Sequence, residues 1–217
     1  MRFLLPPSRT VRAEARADAP PFDRYTGVLY RALGASEWTP AERRWAARHV
    51  CVHAGEHGVV PGAGPCSPAL DLNDLAASAG PLVDLRSKEY VRRAPLPDGQ
   101  WTVRVVSEGA DGRRLAVSHW NKYYKGVVLG ALVRSRPRLT GIRSLLTWAA
   151  ATGIRLEQIG PESLDLVVRP GERAPDLATE AAAEVVVHHS DGLHEGIHRG
   201  RAHESDPELF ESSRGGS

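Results

Sequence analysis

The chain has almost no lysine: Lys88, Lys122 and Lys125 are the only three, against 25 arginines. Positive charge is therefore supplied mainly by Arg, and two lysines within one short segment stand out as compact, titratable ammonium groups that Arg does not replace. Cysteine is equally scarce. Cys51 and Cys66 are the only two, which excludes a disulfide framework and, in a reducing compartment, leaves both as thiols. No apolar run approaches the roughly 20 residues needed to cross a bilayer. The opening MRFLLPP has one Arg and a short apolar stretch cut off by Pro6 and Pro7, too little for a secretory leader. The expected setting is the cytoplasm, with no membrane partner. A Gly-rich phosphate loop and a Ser-His-Asp spacing are also lacking, so no familiar enzyme class is indicated.

What is present suits one domain with a tail. A length of 217 residues, 41% of them hydrophobic, is enough for a single core. Residues 1–170 hold 24 Lys plus Arg against 16 Asp plus Glu, whereas residues 171–217 hold 4 against 10. A basic body points to an anionic partner, a phosphate compound or nucleic acid, and an acidic tail can screen that surface. The tail carries His188, His189, His194, His198 and His203 with almost no apolar periodicity, and residues 171–217 are expected to be largely disordered apart from a brief helix or strand before His188.

Along the chain, residues 2–5 form an apolar strand stopped by Pro6 and Pro7, which hold Ser8, Arg9 and Thr10 at its end. Residues 11–20 read as a loop. Residues 21–33 have Phe22, Tyr25, Val28, Leu29 and Leu33 at helical intervals. A second helix over 40–48 has Thr39 as N-cap and Pro40 at its first position. On the strand after it, Val50 and Val52 face one way and His49, Cys51 and His53 the other. Alternate strand positions splay such ligands too widely for one ion, so no metal site is assigned. Residues 71–79 read as a short helix and 82–85 as a buried strand running into Arg86, Ser87 and Tyr90. The segments 101–109 and 113–120 form a hairpin turned by Asp111 and Gly112. Helices over 126–134 and 142–151 and a strand over 164–169 complete the body.

The densest chemistry lies in RRLAVSHWNKYYKG, residues 113–126. Ser118, His119, Asn121, Lys122, Tyr123, Tyr124 and Lys125 fall where a strand gives way to a helix, a common place for donors to converge on an anion. A polar turn capping the strand is the plainer alternative.

Four segments taken in order, LLPPSRT, PFDRYTGVLYRAL, VDLRSKEY and VRVVSEGADGRRLAVSHWNKYYKG, resemble the YaaA family of bacterial proteins associated with the response to hydrogen peroxide. With HGVVPG and LDLVVRP, the likeness runs over most of residues 2–170. The resemblance implies a mixed α/β fold, a central mixed sheet flanked by helices, and a positively charged cleft. It also implies a role in limiting free iron under peroxide stress, and a nucleic-acid-binding role has been proposed for such proteins. Carried over by position, the pocket comprises Ser8, Arg9, Thr10, Arg24, Tyr25, Thr26, Gly27, Asp84, Arg86, Ser87, Tyr90, Ser118, His119, Asn121, Lys122, Lys125 and Gly126. The chain departs from the family pattern between Thr10 and Pro21, where a long helical segment with a helix-hairpin-helix-like element is missing, after HGVVPG, and in its acidic tail. The loss of that element favours a small-molecule pocket over duplex binding.

Chemically, Arg9, Arg24 and Arg86 suit two-pronged contact with phosphate or carboxylate, with Lys122 and Lys125 as point charges. Tyr25, Tyr90 or Tyr123 can stack on a ring. His119 and Asp84 are the candidates for proton transfer. A lysine among arginines has a lowered pKa and can act as base or nucleophile. Three functions follow: a YaaA-like stress protein binding an anionic ligand or nucleic acid, an enzyme acting on a nucleotide-like metabolite in a specialised biosynthetic pathway, and an interaction protein working through its tail. No cofactor is indicated.

Overall fold

A computed structural model describes residues 1–54, 58–64, 70–118 and 120–169, with the backbone of 185–187. Its centre is a mixed sheet of eight strands flanked by helices, in accord with the expected fold class. The strands are β1 (Arg2–Leu5), β3 (Val50–His53), β4 (Val59–Pro61), β5 (Leu82–Asp84), β6 (Trp101–Glu108), β7 (Arg114–Ala116), β8 (Leu156–Gly160) and β9 (Ser163–Val168). They lie in the order β4-β3-β1-β5-β6-β9-β8, with β7 paired to β6. The run β3-β1-β5-β6-β9 is parallel, and β4, β7 and β8 are antiparallel additions.

Parallel strands are buried on both faces, which is why the central ones read as continuous apolar runs. Alternation divides their side chains between two cores. Phe3, Leu5, Val50, Val52, Val83 and Leu85 belong to the main core with Trp45, Leu129 and Leu145. Leu4, Cys51 and Leu82 join Leu75 in a smaller one on the opposite face, covered by α4 (Leu72–Ala79).

Most of the expected elements are present. Helix α3 (Pro40–His49) starts with a capping box in which Thr39 and Glu42 satisfy each other's backbone N–H. The hairpin turns at Asp111 and Gly112, the latter at φ 74°. Helix α7 spans Ile142–Ala151. Four differences have physical causes. Residues 21–33 are not one helix but α1 (Pro21–Arg24) and α2 (Val28–Leu33); between them Tyr25 bridges to Val11 and Thr26 N–H donates to Thr10 O at 3.1 Å, so tertiary bonds replace helical ones. Thr10–Arg12 forms β2, paired antiparallel with β10 (Val185–Val187), where a loop was expected. His49 ends α3 and stacks on Trp45 at 4.2 Å between ring centroids, so it does not share a strand face with Cys51 and His53. Helix α6 (Asn121–Ser135) begins earlier than its apolar spacing predicts.

Helices α2 and α6 meet through glycine. A Cβ on Gly126 would stand 2.3 Å from Leu29 O, and one on Gly130 2.9 Å from Leu33 O. Steps of four on both helices, taken in the same sense, mean that the two helices run parallel and start at the same end of the sheet. Because the obstructing atom is a backbone carbonyl, Gly126→Ala is expected to destabilise the fold by about 1–3 kcal/mol despite the better helix propensity of Ala. Gly141→Ala, with nothing within 4 Å of the added carbon, should change stability by less than about 0.5 kcal/mol. Urea denaturation of the two variants checks this.

Candidate functional site

The sheet order creates one favoured crevice. The chain leaving β1 crosses to β3 on one side, and the chain leaving β5 passes to β6 on the other. In open α/β sheets the gap outside the carboxyl ends of two such strands is where ligands bind. Here the gap lies between Ser8–Thr10 after β1 and Arg86–Ser87 after β5. A third segment arrives from above. Strand β7 pairs with β6 on the side that β5 occupies lower down, and Val117 N–H donates to Val105 O at 3.0 Å. Residues 117 and 118 thus run back toward the end of β5, and α6 starts beside it.

On the β1 side, Ser8 Oγ accepts from Gly27 N at 3.1 Å and from Thr10 N at 3.2 Å, and lies 3.2 Å from Thr10 Oγ1. Both hydroxyl lone pairs are used, so Ser8 is the donor to Thr10 Oγ1 and the Thr10 hydroxyl proton is the one left to donate. Gly27 is required there, since a Cβ would meet Ser8 Oγ at 2.5 Å. Tyr30, buried, anchors the bend by donating to Pro6 O at 2.6 Å; burial raises its phenol well above the usual range. Thr26 Oγ1 and Arg24 Nε are buried with no hydrogen-bond partner among the described residues, a demand that a ligand or water would meet. Arg24 also spans Ala17 O, at 2.5 Å, and the ring of Tyr25, at 5.1 Å. Arg9 is exposed and Tyr90 half-buried.

On the β5 side, Asp84 and Arg86 form a closed pair with side chains 0% exposed. Arg86 Nε lies 3.0 Å from both carboxylate oxygens, and Nη2 donates to Asp84 Oδ2 at 2.9 Å and to Ala94 O at 2.8 Å. Its Nη1 stands 3.0 Å from His53 Nδ1. A guanidinium only donates, so Nδ1 accepts and the imidazole proton sits on Nε2. Burial, with the Arg86 charge second, holds His53 below its ordinary pKa, partly opposed by Asp84. Arg86 is thereby occupied in positioning its neighbours instead of facing a ligand, and Asp84 is its counter-charge.

Lys125 reaches this pair from α6. It is 4% exposed and donates to Arg86 O at 3.1 Å. Burial lowers its pKa to about 8, with Asp84 pulling the other way. Lys122, one turn earlier, is exposed, as are Ser87 and Ser118, while Asn121 is half-buried. Gly126 serves the helix crossing. His119 lies outside the described residues. Hydrogen bonds therefore group Ser8, Thr10, Thr26 and Gly27 after β1, and Asp84, Arg86 and Lys125 after β5. Sequence reasoning missed Tyr30 and the contact between His53 and Arg86. The signal that distinguishes the two lysines is phase: Lys125 lies four and seven residues before Leu129 and Leu132, on the face of α6 that is buried. Among the described residues no group of three or more His, Cys, Asp or Glu is placed to hold a metal ion, and no helix is long and apolar enough to cross a membrane.

Known proteins bear on this arrangement. A UPF0246 protein of Corynebacterium efficiens is 35% identical over 167 residues, covering 67% of this chain and 68% of that protein. The chain belongs to the UPF0246 family, which is the YaaA family. Another UPF0246 protein, from Corynebacterium glutamicum, is 31% identical over 199 residues, 76% of each chain, and one from Streptomyces coelicolor is 30% identical over 177 residues, 66% of each. No family model matches the chain. Membership agrees with the resemblance read from the four segments.

The lowered pKa of Lys125 has a measurable consequence. The unfolded lysine titrates near ~10.4 and the folded one at about 8, so between these values the unfolded chain binds more protons and stability rises with pH. From pH ~7.5 to ~9.5 wild type should gain about 2 kcal/mol relative to Lys125→Met, by the same linkage. Parallel urea titrations of the two proteins at both pH values test this; equal pH dependence would contradict it.

Proposed function

We propose that this UPF0246 protein acts in the cellular response to hydrogen peroxide through a small anionic ligand, phosphate- or nucleotide-like, held in the crevice between the ends of β1 and β5. The observation that carries the reading is Lys125, an ammonium sunk to 4% exposure beside the point where the connections of the sheet diverge, the favoured ligand position in open α/β sheets. An anion there would stabilise the charged lysine that burial destabilises. Arg9, Thr10, Thr26, Asn121 and Lys122 would supply donors to such an anion, and the parallel starts of α2 and α6 would add backbone N–H groups. The family resemblance supports the peroxide setting and a ligand linked to the control of free iron.

A second reading is favoured by the same lysine. With a pKa of about 8, Lys125 has a substantial neutral fraction near physiological pH and can serve as general base or nucleophile. The protein would then be an enzyme acting on a nucleotide-like or other anionic metabolite. His119, by position in sequence, is the partner for proton transfer. Nucleic acid is the less favoured ligand, because the buried lysine serves a compact anion better than a duplex backbone.

Thermal denaturation against inorganic phosphate, pyrophosphate, nucleoside monophosphates, amino acids and short oligonucleotides, at low and high salt, tests the proposal. A ligand present at a hundred times its Kd stabilises by about 2.7 kcal/mol. The expected result is a salt-resistant shift with one small anion that disappears in Lys125→Met. A shift that persists in that variant, or one confined to oligonucleotides and fading with salt, would refute the small-anion reading.

A further inference from the structure

Behind His53, on the α4 side of the sheet, lies a cavity of about 500 Å³ that the crevice does not use. Arg86 stands between the two. Its Nη1 meets His53, on one wall of the cavity, and its Nη2 holds Ala94 O, next to Pro95 on the other. Among the described residues no Lys or Arg lines the cavity, whereas Asp71 does, so this lining disfavours anions. Pro95, Leu96 and Pro97 line it together with Val59 and Leu72, giving it apolar surface and a volume that suits a small ligand. Leu70, 39% exposed, extends the apolar surface.

The polar groups on its wall are few and of mixed kind. Asp71 Oδ1 is occupied in capping α4, accepting from Asp74 N at 2.7 Å, which leaves Oδ2 as an acceptor. His53, with Nδ1 turned to Arg86, has its Nε2–H to donate. Asn73 offers both a donor and an acceptor.

We propose that this cavity is a second ligand site, for a neutral heteroaromatic ring of the nucleobase class carried by an uncharged nucleoside. Proline and leucine cover the faces of the ring, and Asp71, Asn73 and His53 meet its edges. Sugars lack the apolar faces, and phosphates carry the wrong charge. The proposal does not depend on the anion reading.

Calorimetric titration of the full chain with adenosine, guanosine, cytidine and uridine, with ribose and inorganic phosphate as controls, tests it. At least one nucleoside is expected to bind, ribose not to compete, and affinity to fall tenfold or more in Leu96→Trp, which fills the slot. Asn73→Arg, at an exposed helix position, should give a similar loss without threatening the fold. Lys125→Met should leave nucleoside binding unchanged, which separates this site from the crevice. Absence of binding by all four nucleosides, equal affinity in both cavity variants, or loss of binding in Lys125→Met would each overturn the proposal.

Discussion

The buried pair of Asp84 and Arg86 is the interaction on which the rest of the site depends. Two opposite charges with side chains fully removed from solvent are tolerated only when their hydrogen-bonding capacity is met inside the protein. Here it is met by the Arg86 backbone N–H, His53 and Ala94 O, so a single guanidinium ties the ends of β5 and β3 to the segment after α5 (Lys88–Arg93). Breaking such a pair on one side costs about 3–5 kcal/mol. The same pair sets the electrostatics of Lys125, whose ammonium is penalised by burial and partly supported by the Asp84 carboxylate.

The second constraint is steric. Gly126 and Gly130 let α6 approach α2 to backbone contact, and the parallel sense of the two helices carries both starts to the same end of the sheet. Hence Gly27, tied to the Ser8 hydroxyl, and Lys125, tied to Arg86 O, belong to opposite walls of one gap although they are far apart in sequence. Strand β7 contributes by filling the lane above β5 and delivering the chain to the start of α6. The crevice is thus a product of topology, and its chemistry is a product of three short polar segments that interrupt apolar ones.

Much of this was legible in the residues. Apolar runs ended by polar clusters marked β1, β5 and β9; Thr39, Pro40 and Glu42 marked the start of α3; Asp111 and Gly112 marked the hairpin. These are local signals, decided within a few residues. The break between α1 and α2 was not local: the apolar spacing of residues 21–33 suits one helix, and bonds to Thr10 and Ser8 override it. Strands β4 and β8 pair at the edges of the sheet and carry little apolar alternation. The polar cluster of residues 118–126 was found, but its members proved unequal. Lys122 is exposed and Lys125 buried, Gly126 packs a helix, and Arg86, which looked like an anion-binding guanidinium, has spent four of its five donors on Asp84, Ala94 and His53. Side-chain type identifies candidates; only the saturation of their hydrogen bonds separates those that face a ligand from those that hold the frame.

The claim that Lys125 is a buried, readily neutralised amine at the centre of the crevice can be measured directly, because the chain has only three lysines. An NMR pH titration of the lysine side-chain signals, assigned with Lys125→Met, should show the Lys125 amine titrating near 8. A Lys125 signal titrating near ~10.4 would contradict the account, since a lysine with that pKa is not in the desolvated position on which the proposed site is built.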